Sequence, residues 1–226
     1  MTHTPWQAGT TIAKDFTLRR ALSLGADLEP WLADGPDANA SYIVHRLVAS
    51  VATSEEASRI AALRQSLSPE RHAAFEAFVD GSSSEAPMLI ERIDEPAVAV
   101  ATPEDIAGDP ARLERLIHGL AQAENLGLAI TAVTSSLLLT HSGTLVSLRT
   151  GWPAAWFDAK RSIPISRVED FANWLIQPID TNGSSSESSA NAIHAITQPV
   201  LDGHVRDFSD WADAIDQSRI AVYRNR

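Results

Sequence analysis

The sequence predicts an α+β fold: an N-terminal helical bundle, a central antiparallel β-meander with one inserted helix, and C-terminal helices. Three observations lead there. Apolar residues recur at helical spacing before residue 80, alternation typical of strands is confined to the middle, and regular strand–helix alternation is absent, which disfavours a doubly wound parallel sheet. A chain of 226 residues with 44% hydrophobic and 21% charged residues is well suited to a packed core and removes on the order of 70% of its unfolded surface from water.

In chain order, a helix is expected from Thr11 to Gly25, because Arg20 interrupts the alternation that Phe16, Leu18, Leu22 and Leu24 would otherwise give a strand. Ile43, Val44, Leu47, Val48 and Val51 share one helical face. Thr53 and Ser54 cap the next helix, which carries Glu55 and Glu56 in its first turn and an apolar set of Ala57, Ile60, Ala61, Leu63 and Leu67. Ser68-Pro69-Glu70 restarts the chain, with Ala74, Phe75, Phe78 and Val79 lining a third helix that Gly81 closes. Residues 1–80 are thus expected as a helical segment, joined by a flexible connection at 81–87 to an α+β domain spanning 88–226.

Met88–Ile93 and Ala97–Ala101, separated by Asp94-Glu95-Pro96, read as a hairpin. Helix starts follow at Thr102-Pro103 and Asp109-Pro110, and Leu113, Leu116, Ile117 and Leu120 form a helical stripe that ends near Asn125 and Gly127. Leu128–Thr134 reads as a strand, and Leu137–His141 and Thr144–Thr150 flank a Ser142-Gly143 turn. Trp152-Pro153 opens a short helix through Lys160. The capping box from Ser166 to Glu169 opens another, with Val168, Phe171, Ala172, Leu175 and Ile176 on its apolar face and Pro178 stopping it. The Ser-rich loop 181–191 is expected to be mobile, followed by helices over Ala192–Leu201 and from Phe208 to Tyr223.

Function classes are narrowed by charge and by missing motifs. The net charge of −11 argues against a general binder of nucleic acid or anionic lipid. The absence of cysteine removes disulfides, thiolate metal sites and cysteine nucleophiles. No stretch is a signal peptide or a membrane span, so the expected location is cytoplasmic. The 11 glycines form neither G-x-G-x-x-G nor a Walker loop, and no G-x-S-x-G or H-E-x-x-H occurs.

His194, Asp202, His204, Asp207 and Asp210 are the densest set of possible metal ligands. Asp202-Gly203-His204 also reads as an ordinary turn and Asp207 or Ser209 as a helix cap, so no metal and no cofactor is assigned. His45 and His118 read as edges of packed helical faces. His141 beside Ser142 could pair as base and nucleophile, but adjacent residues on a strand face opposite ways, which favours the turn.

One segment stands out. Arg149, Lys160, Arg161 and Arg167 oppose the single acid Asp158, and Trp152, Trp156 and Phe157 are interleaved with them. Arginines beside indoles are the material of protein-interface anchors and of anion recognition. The expected function is therefore a non-catalytic protein–protein interaction module, such as an adaptor, chaperone-like or assembly subunit of a complex. It would contact a protein partner or a second copy through Arg149, Trp152, Trp156, Phe157, Lys160, Arg161 and Arg167. The alternative is an enzyme acting on a small anionic substrate bound by Arg149, Arg161 and Arg167, with His141 as general base.

Overall fold

The structure is a computed structural model that describes residues 6–22, 30–49, 51–81, 86–96, 98–107, 109–130, 133, 136–157, 168–182 and 187–224. Strands come first. The N-terminal part is a curled antiparallel sheet of β1 (Thr11–Ile12), β2 (Phe16–Ala21), β3 (Trp31–Asp34), β4 (Ser41–Arg46), β5 (Ala74–Val79) and β6 (Met88–Ile93), in the order β1-β2-β3-β4-β6-β5. One helix, α1 (Ser54–Arg64), lies between β4 and β5 in sequence. The expected N-terminal helical bundle is thereby corrected: of its expected helices, only α1 forms among the described residues.

The misreading has physical causes. β2 and β5 each carry a register irregularity, between Leu18 and Arg20 and between Phe75 and Ala77. A bulge adds one residue and shifts the two-residue phase. Arg20 then looks like a break, and Phe75 and Phe78 acquire a spacing of three. In β4, Ser41 to His45 are all buried, so both faces are packed and the continuous apolar run has no alternation to betray a strand.

α1 is legible locally because Thr53 caps it, its hydroxyl accepting from the Glu56 N–H at 3.3 Å. Met88–Ile93 is a strand as expected, but it pairs with β4 and β5 rather than with the segment after Pro96. That segment supplies β7 (Val98–Val100), which joins β8 (Leu137–Thr140) and β9 (Leu145–Ser147) in a smaller sheet ordered β7-β8-β9. The β8–β9 hairpin forms where the alternation placed it, with Gly143 at φ +84° in the turn. Two helices, α2 (Pro103–Ala107) and α3 (Pro110–Asn125), lie between β7 and β8 where one was expected.

α3 starts at the Asp109 cap and buries Leu113, Leu116, Ile117 and Leu120 on one face. α4 (Val168–Asn182) runs through Pro178 instead of stopping there, and α5 (Glu187–Leu201) and α6 (Phe208–Arg224) complete the chain. The region 181–191 is thus helical at both described ends, with 183–186 outside the described residues. The stretch after Trp152-Pro153 is a single 3-10 turn, Ala154–Trp156, and 158–167 lie outside the described residues. Of the expected strand Leu128–Thr134, residues 128–130 have no strand structure, and 131, 132 and 134 lie outside the described residues.

The sheet and the helices share a core. One cluster joins Leu47, Ile60 and Leu89 of the first half to Leu116, Trp152, Trp156, Phe171 and Trp211 of the second. His72 and Ala73, just before β5, dock on Ser147 of β9: the Ala73 N–H donates to the Ser147 carbonyl at 3.1 Å, and the Ser147 N–H to that of Arg71 at 2.8 Å. The Val48 N–H likewise donates to the Trp156 carbonyl at 2.8 Å.

Candidate functional site

The antiparallel register of β4 and β6 sets Ile43 opposite Glu91 and His45 opposite Leu89. His45 and Glu91 therefore project from the same face of the sheet. Toward that face come Arg64 from the last turn of α1 and the segment Arg149–Trp152 that follows β9. Arg149 adopts φ +57° and Gly151 φ +85°. The first is uncommon for a residue with a side chain, and at Gly151 an added Cβ would lie 2.8 Å from Leu128 Cδ2.

Glu91 is the hub of this buried polar cluster. Its Oε1 accepts from Arg64 Nη2 at 2.7 Å, from Trp152 Nε1 at 3.2 Å and from the Arg149 N–H at 3.2 Å. Its Oε2 accepts from His45 Nε2 at 2.9 Å and from the same Arg149 N–H at 3.0 Å. Arg149 Nε donates to His45 Nδ1 at 3.2 Å. That contact fixes the tautomer: Nδ1 is the acceptor, so the ring proton sits on Nε2 and points at Glu91. Arg64 also donates to the carbonyls of Thr150 and Ala73.

Burial disfavours charge on every member. It lowers the His45, Arg64 and Arg149 pKa values, Arg149 to about 10 even though Glu91 opposes the fall. Burial likewise pushes Glu91 up, but Arg64, His45 and the Arg149 N–H outweigh it and hold the carboxyl at about 2. At neutral pH the cluster thus contains one carboxylate, two guanidiniums and a neutral imidazole.

Aromatic rings close the cluster. The Arg149 guanidinium lies 4.6 Å from the Phe157 ring centroid and that of Arg64 5.1 Å from Trp152, within cation–π range. Trp152 stacks on Trp156 at 5.6 Å, and Phe75 and Phe78 of β5 pack on these two indoles at 5.6 and 5.8 Å.

Four of the seven residues expected to contact a partner are therefore interior: Arg149, Trp152, Trp156 and Phe157 are all at most 5% exposed. They touch the chain's own sheet and helix α1. Lys160, Arg161 and Arg167 lie outside the described residues.

The other flagged groups are dispersed. His141 is exposed in the β8–β9 turn. Its neighbour Ser142 donates from Oγ to Glu95 Oε1 at 2.6 Å and from its N–H to Oε2 at 3.0 Å. Asp202 accepts from Gln198, and Asp207 from the Asp210 N–H as a helix cap. Among the described residues no three His, Cys, Asp or Glu side chains gather in a metal-binding arrangement. His118 faces Asp216 at 3.4 Å.

Sequence reasoning missed His45, Arg64 and Glu91 as site residues. Glu91 did leave a signal, a lone acid inside the apolar run Met88–Ile93, since a charge in a buried strand calls for partners.

The fold has solved relatives. The chain is similar to the kinase domain of Mycobacterium tuberculosis PknI, at 15% identity, covering 94% of this chain and 98% of that one, with a TM-score of 0.54. A double mutant of the same domain matches at 14% identity and a TM-score of 0.55, covering 94% and 99%. No protein-family model matches the chain, and no curated protein does. The fold is thus that of these solved kinase domains, which gives no support to the expected non-enzymatic complex subunit. No helix among the described residues is long and apolar enough to cross a membrane.

Proposed function

We propose that this chain is a kinase-fold domain that does not transfer phosphate and acts by binding a protein partner in the cytoplasm. Kinase chemistry requires a Gly-rich loop over the phosphates, a strand lysine paired with a helix glutamate, an aspartate catalytic base, and Asp and Asn ligands for magnesium. The sequence contains no G-x-G-x-x-G, H-R-D, D-F-G or A-P-E, and its lysines are Lys14 and Lys160. Lys14 sits in the β1–β2 turn at φ +72°, away from the strand that precedes α1. The buried basic residue on that strand is His45, and the tripeptide Arg149-Thr150-Gly151 has a cation two residues ahead of its glycine where D-F-G has a carboxylate.

The observation that carries the reading is the state of Glu91. It is the cluster's carboxylate, and Arg64, His45, Trp152 and the Arg149 N–H already occupy both its oxygens. A metal ion would have to displace buried donors that would then lack acceptors. The anionic-substrate alternative draws no support from Arg149, which is held between His45 and Phe157. Lys160, Arg161 and Arg167 remain the proposed contact for an acidic partner, on the strength of their local charge contrast within an acidic chain.

Incubation with radiolabelled ATP and Mg2+, alone and with a generic basic acceptor protein, should give no label transfer. Calorimetry with ATP and Mg2+ should show no saturable heat. Magnesium-dependent transfer would refute the proposal. Charge reversal of Lys160, Arg161 and Arg167 together should abolish capture of a partner held by the unaltered protein, and unchanged capture would refute that surface.

A further inference from the structure

Arg64 also lines a second site. A cavity of about 260 Å3 opens between the last turn of α1 and the start of β5, with Ala61, Arg64, Gln65, Leu67, His72 and Phe75 in its wall. It reaches the surface at Gln65 and Ala74, both exposed. Arg64 is its buried cation, with a side chain only 3% exposed. The Nη groups of Arg64 are committed to Glu91 and to the carbonyls of Thr150 and Ala73. Its Nε–H has no acceptor among the described residues. A buried donor without an acceptor is costly, and the cavity beside it is where an acceptor could enter.

We propose that this cavity binds a small monocarboxylate with a short apolar stem. Charge selects the monoanion. Arg64 and Arg149 oppose Glu91 alone, with His45 neutral, so the cluster holds one excess positive charge. One carboxylate neutralises it, whereas a dianion would set a surplus negative charge beside Glu91. His72 adds no donor, because its Nε2 serves the Gly119 carbonyl at 3.0 Å and its Nδ1 lies 3.1 Å from the Thr150 hydroxyl. The rest of the wall is mainly apolar, through Ala61, Leu67 and Phe75, which suits an aliphatic stem. A volume below the usual range for drug-sized ligands favours a short acid or one acidic side chain. Gln65 stands at the mouth, where its amide can meet the second carboxylate oxygen.

The test uses sodium butyrate, with butanol and butylamine as controls, followed by the backbone amide resonances of Ala61, Gln65 and Ala74. Butyrate should shift these saturably, with a Kd of about 1–10 mM, the affinity of a ligand this small. Both controls should bind at least about tenfold more weakly if the orphaned N–H is what selects the ligand. Gln65→Glu, an exposed change that leaves the Arg64 contacts in place, should weaken butyrate at least about fivefold by like-charge repulsion. An equal response to butanol, an unsaturable response, or indifference to Gln65→Glu would overturn the proposal. A blocked Ala-Glu-Ala peptide that competes with butyrate assigns the carboxylate to a protein partner, and one that does not compete assigns it to a free acid. None of these readouts involves ATP, so failure here is separable from failure of the reading above.

Discussion

Replacing Glu91 by glutamine removes one charge from the cluster at nearly constant volume. The amide oxygen can keep the Oε1 contacts with Arg64 and Trp152. The new NH2 group then faces His45 Nε2–H and the Arg149 N–H, which are both donors. A tautomer switch at His45 offers no escape, because Nδ1 already accepts from Arg149 Nε. Two guanidiniums are left without a carboxylate. Removing one partner of a buried pair costs about 3–5 kcal/mol, and the orphaned donors overlap with that figure rather than adding to it. A loss of about 4 kcal/mol is expected, a large part of a domain's stability. Urea unfolding at pH 7, followed by tryptophan fluorescence and far-UV circular dichroism, measures it. A loss under about 1 kcal/mol at an unchanged m-value would refute the account. Acid adds a second check. The Glu91 carboxyl sits at about 2 in the fold against 4.5 ordinarily. Its contribution is therefore complete above pH 4.5 and lost as pH falls from 4.5 to 2, about 3 kcal/mol in all, and the glutamine variant should lack that component.

Two further outcomes follow from burial. Trp156→Ala should cost about 3–5 kcal/mol, because Trp156 is 1% exposed between Trp152 and Phe78; a urea midpoint within error of the parent's would contradict that packing. Burial holds His72 at about 4 against 6.5, so stability should decline as pH falls from 6.5 to 4, where the unfolded chain takes up a proton that the fold refuses. His72→Gln should reduce that decline, leaving the part that the buried His45 contributes, as seen by comparing unfolding midpoints at pH 7 and pH 5.

Features written in adjacent residues were legible in the sequence. Thr53 and Asp109 mark the starts of α1 and α3, the stripe from Leu113 to Leu120 marks the buried face of α3, and the Leu137–Ser147 alternation marks a hairpin. The N-terminal sheet was hidden because its informative period is disturbed where it matters, by one extra residue in β2 and one in β5 and by two-sided burial of β4. A spacing of three, as between Phe75 and Phe78, belongs equally to a helix turn and to a bulged strand, and only cross-strand pairing separates the two. The site was half visible for a similar reason. Charge contrast drew attention to Arg149, Trp152 and Trp156, but composition does not say which way a side chain faces. Their partners His45, Arg64 and Glu91 lie far away in sequence, and topology alone brings them together.

The Glu91 cluster also bears on the order of folding. Its members come from residues 45, 64, 91, 149 and 152, so closing it requires loops of tens of residues to be fixed beforehand, and contacts of that separation form slowly. Hydrogen bonds this demanding in geometry are expected to tighten after the main barrier, once the sheet and α3 have met. Damage to the cluster would then appear chiefly as faster unfolding, with refolding little changed. The cluster would serve as a kinetic clasp, setting how long the sheet and the helices stay joined rather than how quickly they find each other.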